Sequence, residues 1–184
     1  MLSSSASFDQ NLILTGYLGP LQLPTARHTA EALHMRFVDF ESRLEDHSGM
    51  PGEEVRALYG ESRLKTLEDE LLSEIALYRG TLIAIGGETL VRGAYNLLHT
   101  TGPVICSVAS VDAVLQRLHL ALGARFHDPR ERDLALGKVR REWSIRKNPD
   151  VRIVDTSYMN DMQMVEAIIA CWREAATVID WRGV

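Results

Sequence analysis

Five short, almost wholly apolar runs, separated by segments of helical period, leave this chain few folds to choose from. The runs lie at residues 12–14, 37–38, 82–85, 104–106 and 151–154. A strand that alternated polar and apolar residues would face water on one side. Strands apolar throughout are buried on both faces, which is the mark of a parallel sheet covered by helices above and below. Apolar residues recur at helical spacing over 25–35, 112–122 and 159–179, and over a longer stretch, 41–77, broken near residues 49–52. Ser110 suits the N-cap of the second of these helices. Residues 134–146 read as a basic helix, and the densely charged run 124–133 before it reads as a loop. The expected fold class is therefore α/β, a three-layer α/β/α domain over residues 11–179 around a five-stranded parallel sheet. A serine-rich tail, 1–10, is expected to be disordered, and a short tail, 180–184, follows the last helix.

Composition narrows the partners. A formal net charge of −5 argues against general affinity for nucleic acid or membranes, and no apolar run reaches the length of a membrane span. The first ten residues contain no lysine or arginine and no long apolar core, unlike a signal or transit peptide. The cysteines, Cys106 and Cys171, fall in a strand and a helix, as free thiols would in a reducing compartment such as the cytoplasm. The six histidines show no paired ligand spacing, so no metal site is expected.

The run Gly16-Tyr-Leu-Gly-Pro-Leu-Gln-Leu-Pro-Thr25 sits between the first strand and the first helix, the context in which a phosphate-binding P-loop occurs. In G-x-x-x-x-G-K-[ST], backbone N–H groups cradle the phosphates, the lysine reaches them, and the hydroxyl holds Mg²⁺. The frame that starts at Gly16 puts Leu21 at the second glycine, Gln22 at the lysine and Leu23 at the hydroxyl. Gly19 is the only other glycine in the run. Pro20 and Pro24 remove two further N–H donors. This is a degenerate nucleotide loop, and neither ATP nor Mg²⁺ is expected to bind normally.

Four segments, taken in order, resemble the shikimate kinase family over roughly residues 11–175. They are Asn11-Leu-Ile-Leu-Thr-Gly-Tyr-Leu-Gly19; Met35-Arg-Phe-Val-Asp-Phe-Glu41, where the family has a strand ending in D-x-D; Leu82-Ile-Ala-Ile-Gly-Gly-Glu88, near the family's G-G-G; and Arg141-Glu-Trp-Ser-Ile-Arg146 with Asp150-Val-Arg-Ile-Val-Asp-Thr156, near R-x-P-L-Y-R and a last strand ending in D-T. The resemblance implies a P-loop kinase-like fold with strand order 2-3-1-4-5. It also implies a set of ligand-binding candidates.

Asp39 and Glu41 match the family's metal-associated and substrate-contacting aspartates. They also suit a helix N-terminus, which attracts carboxylates through its dipole. Lys65 falls where the family has an arginine that grips the substrate carboxylate, with Arg63 as a neighbouring substitute; a solvated helix face explains both equally well. Gly86 and Gly87 follow a buried strand and allow close approach of a ligand or a tight turn. Glu88 stands where a third glycine is expected, and its carboxylate would repel an anionic substrate. Arg141 matches a second substrate-gripping arginine. Arg117 and Arg125 fall near arginines that meet the nucleotide, and the charged run 124–133 matches a mobile lid.

Phosphoryl transfer depends on positioning and charge neutralisation, so losing both the lysine and the metal-binding hydroxyl undermines it. The leading expectation is a shikimate-kinase-like protein without ordinary kinase turnover, serving as a ligand-binding, regulatory or assembly protein. The alternative is an active small-molecule kinase with an atypical nucleotide site, compensated by Lys65 or a lid arginine. A third reading is a scaffold that binds a protein partner through surfaces near Trp143 and Trp181. Charges retained at Asp39, Glu41, Lys65 and Arg141 favour a small anionic ligand over a pure scaffold.

Overall fold

The computed structural model describes residues 9–16 and 22–179, the last three by backbone alone. Five parallel strands form one sheet in the order β2-β3-β1-β4-β5, with β1 Leu12–Gly16, β2 Arg36–Asp39, β3 Thr81–Ala84, β4 Val104–Val108 and β5 Arg152–Asp155. Helices α1 Gln22–Ala32, α2 Phe40–Ser48, α3 Gly52–Tyr59 and α4 Glu61–Ile75 precede β3. A broken helix follows it, made of α5 Gly87–Thr89, a wide turn Leu90–Ala94 and α6 Tyr95–Leu98. Then come α7 Val111–Leu122, α8 Pro129–Glu142 and α9 Asp161–Ile179.

The wholly apolar strands are explained by the layers they separate. Ile13, Ile83, Val104 and Cys106 point to one face, into a core with Phe40, Leu44, Leu64, Leu71, Leu90 and Leu98 from the helices between β2 and β4. Leu12, Leu14, Leu82, Ala84 and Ile105 point to the other, against Ala26 and Ala30 of α1 and Ile168, Trp172 and Ala176 of α9. The three central strands, β1, β3 and β4, thus need apolar side chains at both odd and even positions. Cys106 is fully buried, and burial pushes its thiol up to about 12, which leaves it unreactive.

Three boundaries differ from the sequence reading. Helix α1 starts at Gln22 rather than Thr25, because Pro24 sits in the first turn, where its missing N–H costs nothing. The stretch 41–77 breaks a second time, at Gly60, whose φ of +86° suits only glycine. The charged run 124–133 is mostly helical. A 3₁₀ turn covers Gly123–His127, and α8 begins at Pro129 with the Asp128 carboxylate accepting from the Arg130 N–H at 2.9 Å. Asp followed by Pro is a helix start, and its charge density masked that signal. Among the described residues, no helix is long and apolar enough to cross a membrane.

Asn11, fully buried just before β1, ties the lower edge of the sheet together. Its amide donates to the Tyr78 carbonyl (2.8 Å) and the Thr101 hydroxyl (3.1 Å), and its side-chain oxygen accepts from the Thr81 N–H (3.0 Å). Its backbone N–H donates to the Thr101 carbonyl, and its carbonyl accepts from the Trp172 indole (3.3 Å). Replacing Asn11 by Ala strands the buried Thr81 N–H, while the Tyr78 carbonyl keeps a second donor in Arg79. One stranded buried group costs about 1–3 kcal/mol, and the variant is expected to lose that much stability in urea unfolding. A loss below about 0.5 kcal/mol, the range of an ordinary surface substitution, would remove Asn11 from this role.

Candidate functional site

A cavity of about 530 Å³ opens at the C-terminal ends of β2 and β3, where open α/β sheets place ligands. Its wall includes Gln22 and Leu23 from the first turn of α1, Asp39 and Glu41 at the β2–α2 junction, and Gly86 after β3. Leu64 and Glu68 of α4, Arg92 of the broken helix, and Lys138, Arg141 and Glu142 of α8 complete it, with Arg56 of α3 and Glu88 of α5.

The structure therefore brings Asp39, Glu41, Gly86 and Arg141 to one cavity, together with Gln22 and Leu23. It leaves Lys65 outside. Leu64 and Glu68 stand four residues apart on the cavity face of α4, which turns Lys65 and Arg63 outward to solvent. Gly87 lies behind the wall. A Cβ there would fall 1.8 Å from the Glu142 carbonyl oxygen, so its glycine is demanded by the approach of α8, with no ligand needed to explain it. Arg117 is almost fully buried and donates to the hydroxyl (3.1 Å) and carbonyl (2.6 Å) of Thr156, so it bridges α7 to the end of β5. Arg125 lies on the exposed 3₁₀ turn, 3.9 Å from Glu131. Trp143 is half-buried, and its indole donates to the Ser107 carbonyl at 3.0 Å. Gly19 and Trp181 lie outside the described residues.

Sequence reasoning missed the cavity's densest interaction. The Glu88 carboxylate meets three guanidinium groups: Arg92 at 2.9 Å and Arg56 at 3.2 Å on one oxygen, and Arg141 at 3.2 Å on the other. Arg92 also pairs with the nearly buried Glu68, and Arg56 with Glu61. The i,i+4 spacing of Glu88 and Arg92 was a readable sign of that one pair. Arg56 and Glu142 carried no local signal.

Opposite this cluster the carboxylates crowd. A Cβ on Gly86 would lie 3.4 Å from Glu41 Oε1 and 3.3 Å from Glu142 Oε2, so both side chains converge over that glycine. Burial also raises the Glu142 pKa, although its carboxylate accepts the Gly87 N–H. The Glu41 side chain reaches the open cavity, yet the surrounding wall and the nearby Glu142, Glu68 and Asp39 raise its pKa from 4.5 to about 7. Asp39 accepts from the Ser42 hydroxyl at 2.6 Å. A carboxylate that titrates near neutrality can take a proton from a ligand hydroxyl at ordinary pH.

Linkage gives the sign of the stability effect. A carboxyl whose pKa is raised on folding favours the fold below its ordinary value of 4.5, and that advantage is lost as pH rises to about 7. Glu41→Gln should therefore match the wild type in thermal unfolding near pH 4.5 and exceed it above pH 7. Equal melting temperatures at pH 8 would refute the shift.

Comparison with known proteins places this geometry. The shikimate kinase family model matches residues 24–173. The chain is 29% identical over 110 residues to a shikimate kinase of Thermodesulfovibrio yellowstonii, a match covering 59% of this chain and 64% of that protein. It is 29% identical over 134 residues to a shikimate kinase of Moorella thermoacetica, covering 72% of this chain and 78% of that one. The crystal structure of shikimate kinase from Bacteroides thetaiotaomicron superposes with a TM-score of 0.71 at 19% identity, over 90% of this chain and 96% of that chain. A shikimate kinase from Acinetobacter baumannii in complex with shikimate superposes over the full length of both chains, with a TM-score of 0.65 and 16% identity. With a family model that covers most of its length, this chain belongs to the shikimate kinase family.

Proposed function

We propose that this protein binds a small hydroxylated acid of the shikimate class on the acceptor side of the cavity and does not turn over ATP in the ordinary way. The observation that carries this reading is the contrast between the two ends of one cavity. At the α1 end, the wall is Gln22 and Leu23, an uncharged amide and an aliphatic side chain where a nucleotide would need a cation and a metal-binding hydroxyl. These residues do not fit a Mg²⁺-nucleotide. At the far end, Asp39, Glu41, Arg92 and Arg141 keep the charged groups that hydroxyls and a carboxylate would meet. The shikimate-bound relative supports the class of ligand. Charge-assisted hydrogen bonds contribute about 1.5–3 kcal/mol each, so two or three suffice to hold a small acid weakly.

One observation favours an active enzyme with an atypical nucleotide site. Lys138 lines the same cavity, and its ammonium could stand in for the missing loop lysine. A coupled phosphotransfer assay with Lys138→Ala separates the two readings, because residual turnover that depends on Lys138 would establish the second.

Titration calorimetry tests the main reading. ATP·Mg²⁺ and ADP should give no heat at micromolar protein, whereas shikimate should bind. Arg141→Ala should weaken shikimate binding about tenfold, equivalent to about 1.4 kcal/mol. The triple change Leu21→Gly, Gln22→Lys and Leu23→Ser should confer ATP binding and leave shikimate affinity unchanged. Micromolar ATP binding by the unaltered protein would overturn the reading.

A further inference from the structure

The arginine cluster is already occupied. Arg56 and Arg92 share one oxygen of Glu88, and Arg141 takes the other, so a single carboxylate spans all three guanidinium groups on the cavity wall. This is how the carboxylate of a bound acid would be held, with N–H donors presented to both oxygens. Arg56 and Arg92 have further partners in Glu61 and Glu68. Among the described residues, the only ion-pair partner of Arg141 is Glu88. The cluster is open to the cavity, since the side chains of Glu88, Arg56 and Arg141 are 33%, 35% and 54% exposed. A dissolved acid can reach these arginines, but it finds a carboxylate already tethered among them, accepting from Arg56 and Arg141 and paired with Arg92.

We propose that Glu88 is a specificity-determining residue, a built-in carboxylate that competes with a ligand's carboxylate for Arg56, Arg92 and Arg141. The proposal rests on the acceptor-side reading given above and adds the residue that limits it. Because Glu88 is part of the wall, its effective concentration at the arginines far exceeds that of any dissolved acid, and the competition favours the protein's own group. An acid therefore binds weakly to the native protein, whereas a ligand of the same shape with an uncharged amide in place of the carboxylate is not penalised by the competition. Removing the charge on Glu88 while keeping its shape should release Arg141 first, since no other carboxylate pairs with it.

The test is calorimetric titration of the wild type and Glu88→Gln with shikimate and with its carboxamide analogue. Glu88→Gln should bind shikimate at least tenfold more tightly than the wild type and leave carboxamide affinity within twofold. If the wild type binds shikimate and Glu88→Gln binds it no better, the proposal is overturned and the acceptor-side reading stands. Equal gains for both ligands would also overturn it, since the effect would then be one of shape and not charge. If neither protein binds shikimate, the acceptor-side reading fails. The arginine Nε–Hε signals of Arg56, Arg92 and Arg141 then decide the proposal, with benzoate as a generic carboxylate probe. Shifts on benzoate addition in Glu88→Gln but not in the wild type uphold competition by Glu88, and their absence in both refutes it. The same spectra show whether the variant is folded. Should it not be, Glu88→Asp, which keeps the charge but shortens its reach, should loosen the Arg141 contact and raise shikimate affinity, and no rise would refute the proposal.

Discussion

Every strand of a parallel sheet begins where a helix has just ended, and the loops delivering the chain to that edge carry backbone groups that must be paired away from water. In this molecule one side chain does much of that pairing. Asn11 contacts the segment entering β3, the segment entering β4 and, through its carbonyl, the indole of Trp172 on α9. The central strand is thereby fixed relative to its two neighbours and to the helix beneath them. The cavity at the opposite end of the sheet inherits its shape from this arrangement. Asp39 lies beside Ala84 in the pairing of β2 with β3, and a shift in that register would carry Asp39 and Glu41 away from Gly86.

The fold was legible because its signal is redundant. Strands with no polar alternation demand two helical layers, and the intervening helical periods supply them. The strand order came from resemblance, since spacing alone does not say which parallel strand lies beside which. Site residues were legible where the backbone places them. Asp39, Glu41 and Gly86 follow strand ends, and strand ends are visible as the close of an apolar run. Lys65 was misplaced because a helix rotates about 100° per residue, so an error of one position turns a cavity residue into a solvent one. Arg56 was invisible for another reason. Its partner Glu88 lies 32 residues away, and such contacts exist only once the layers have packed.

The cavity shows two ways of handling charge within one wall. Glu68, almost fully buried, is held by Arg92 and the Thr89 hydroxyl, so its charge is matched. Glu41 is walled in and has like charges for neighbours, and its pKa rises in consequence. Matched charge gives rigidity at little electrostatic cost, whereas unmatched charge stores a capacity to take up a proton. The Trp143 indole, bonded to the Ser107 carbonyl beside the cavity's α8 wall, links that wall to β4. Movement of α8 is therefore resisted by the sheet itself.

The chain leaves β1 at Gly16, paired with Ser107 so closely that a Cβ would fall 2.1 Å from the Ser107 carbonyl oxygen, with a φ of +106° that only glycine holds without strain. Within the next helix it meets buried Thr25 and Ala26, whose packing against the sheet fixes α1. Both anchor points belong to the scaffold. The direction in which the chain departs from the central strand is therefore set by the contact between β1 and β4, and any side chain at position 16 would have to push those two strands apart.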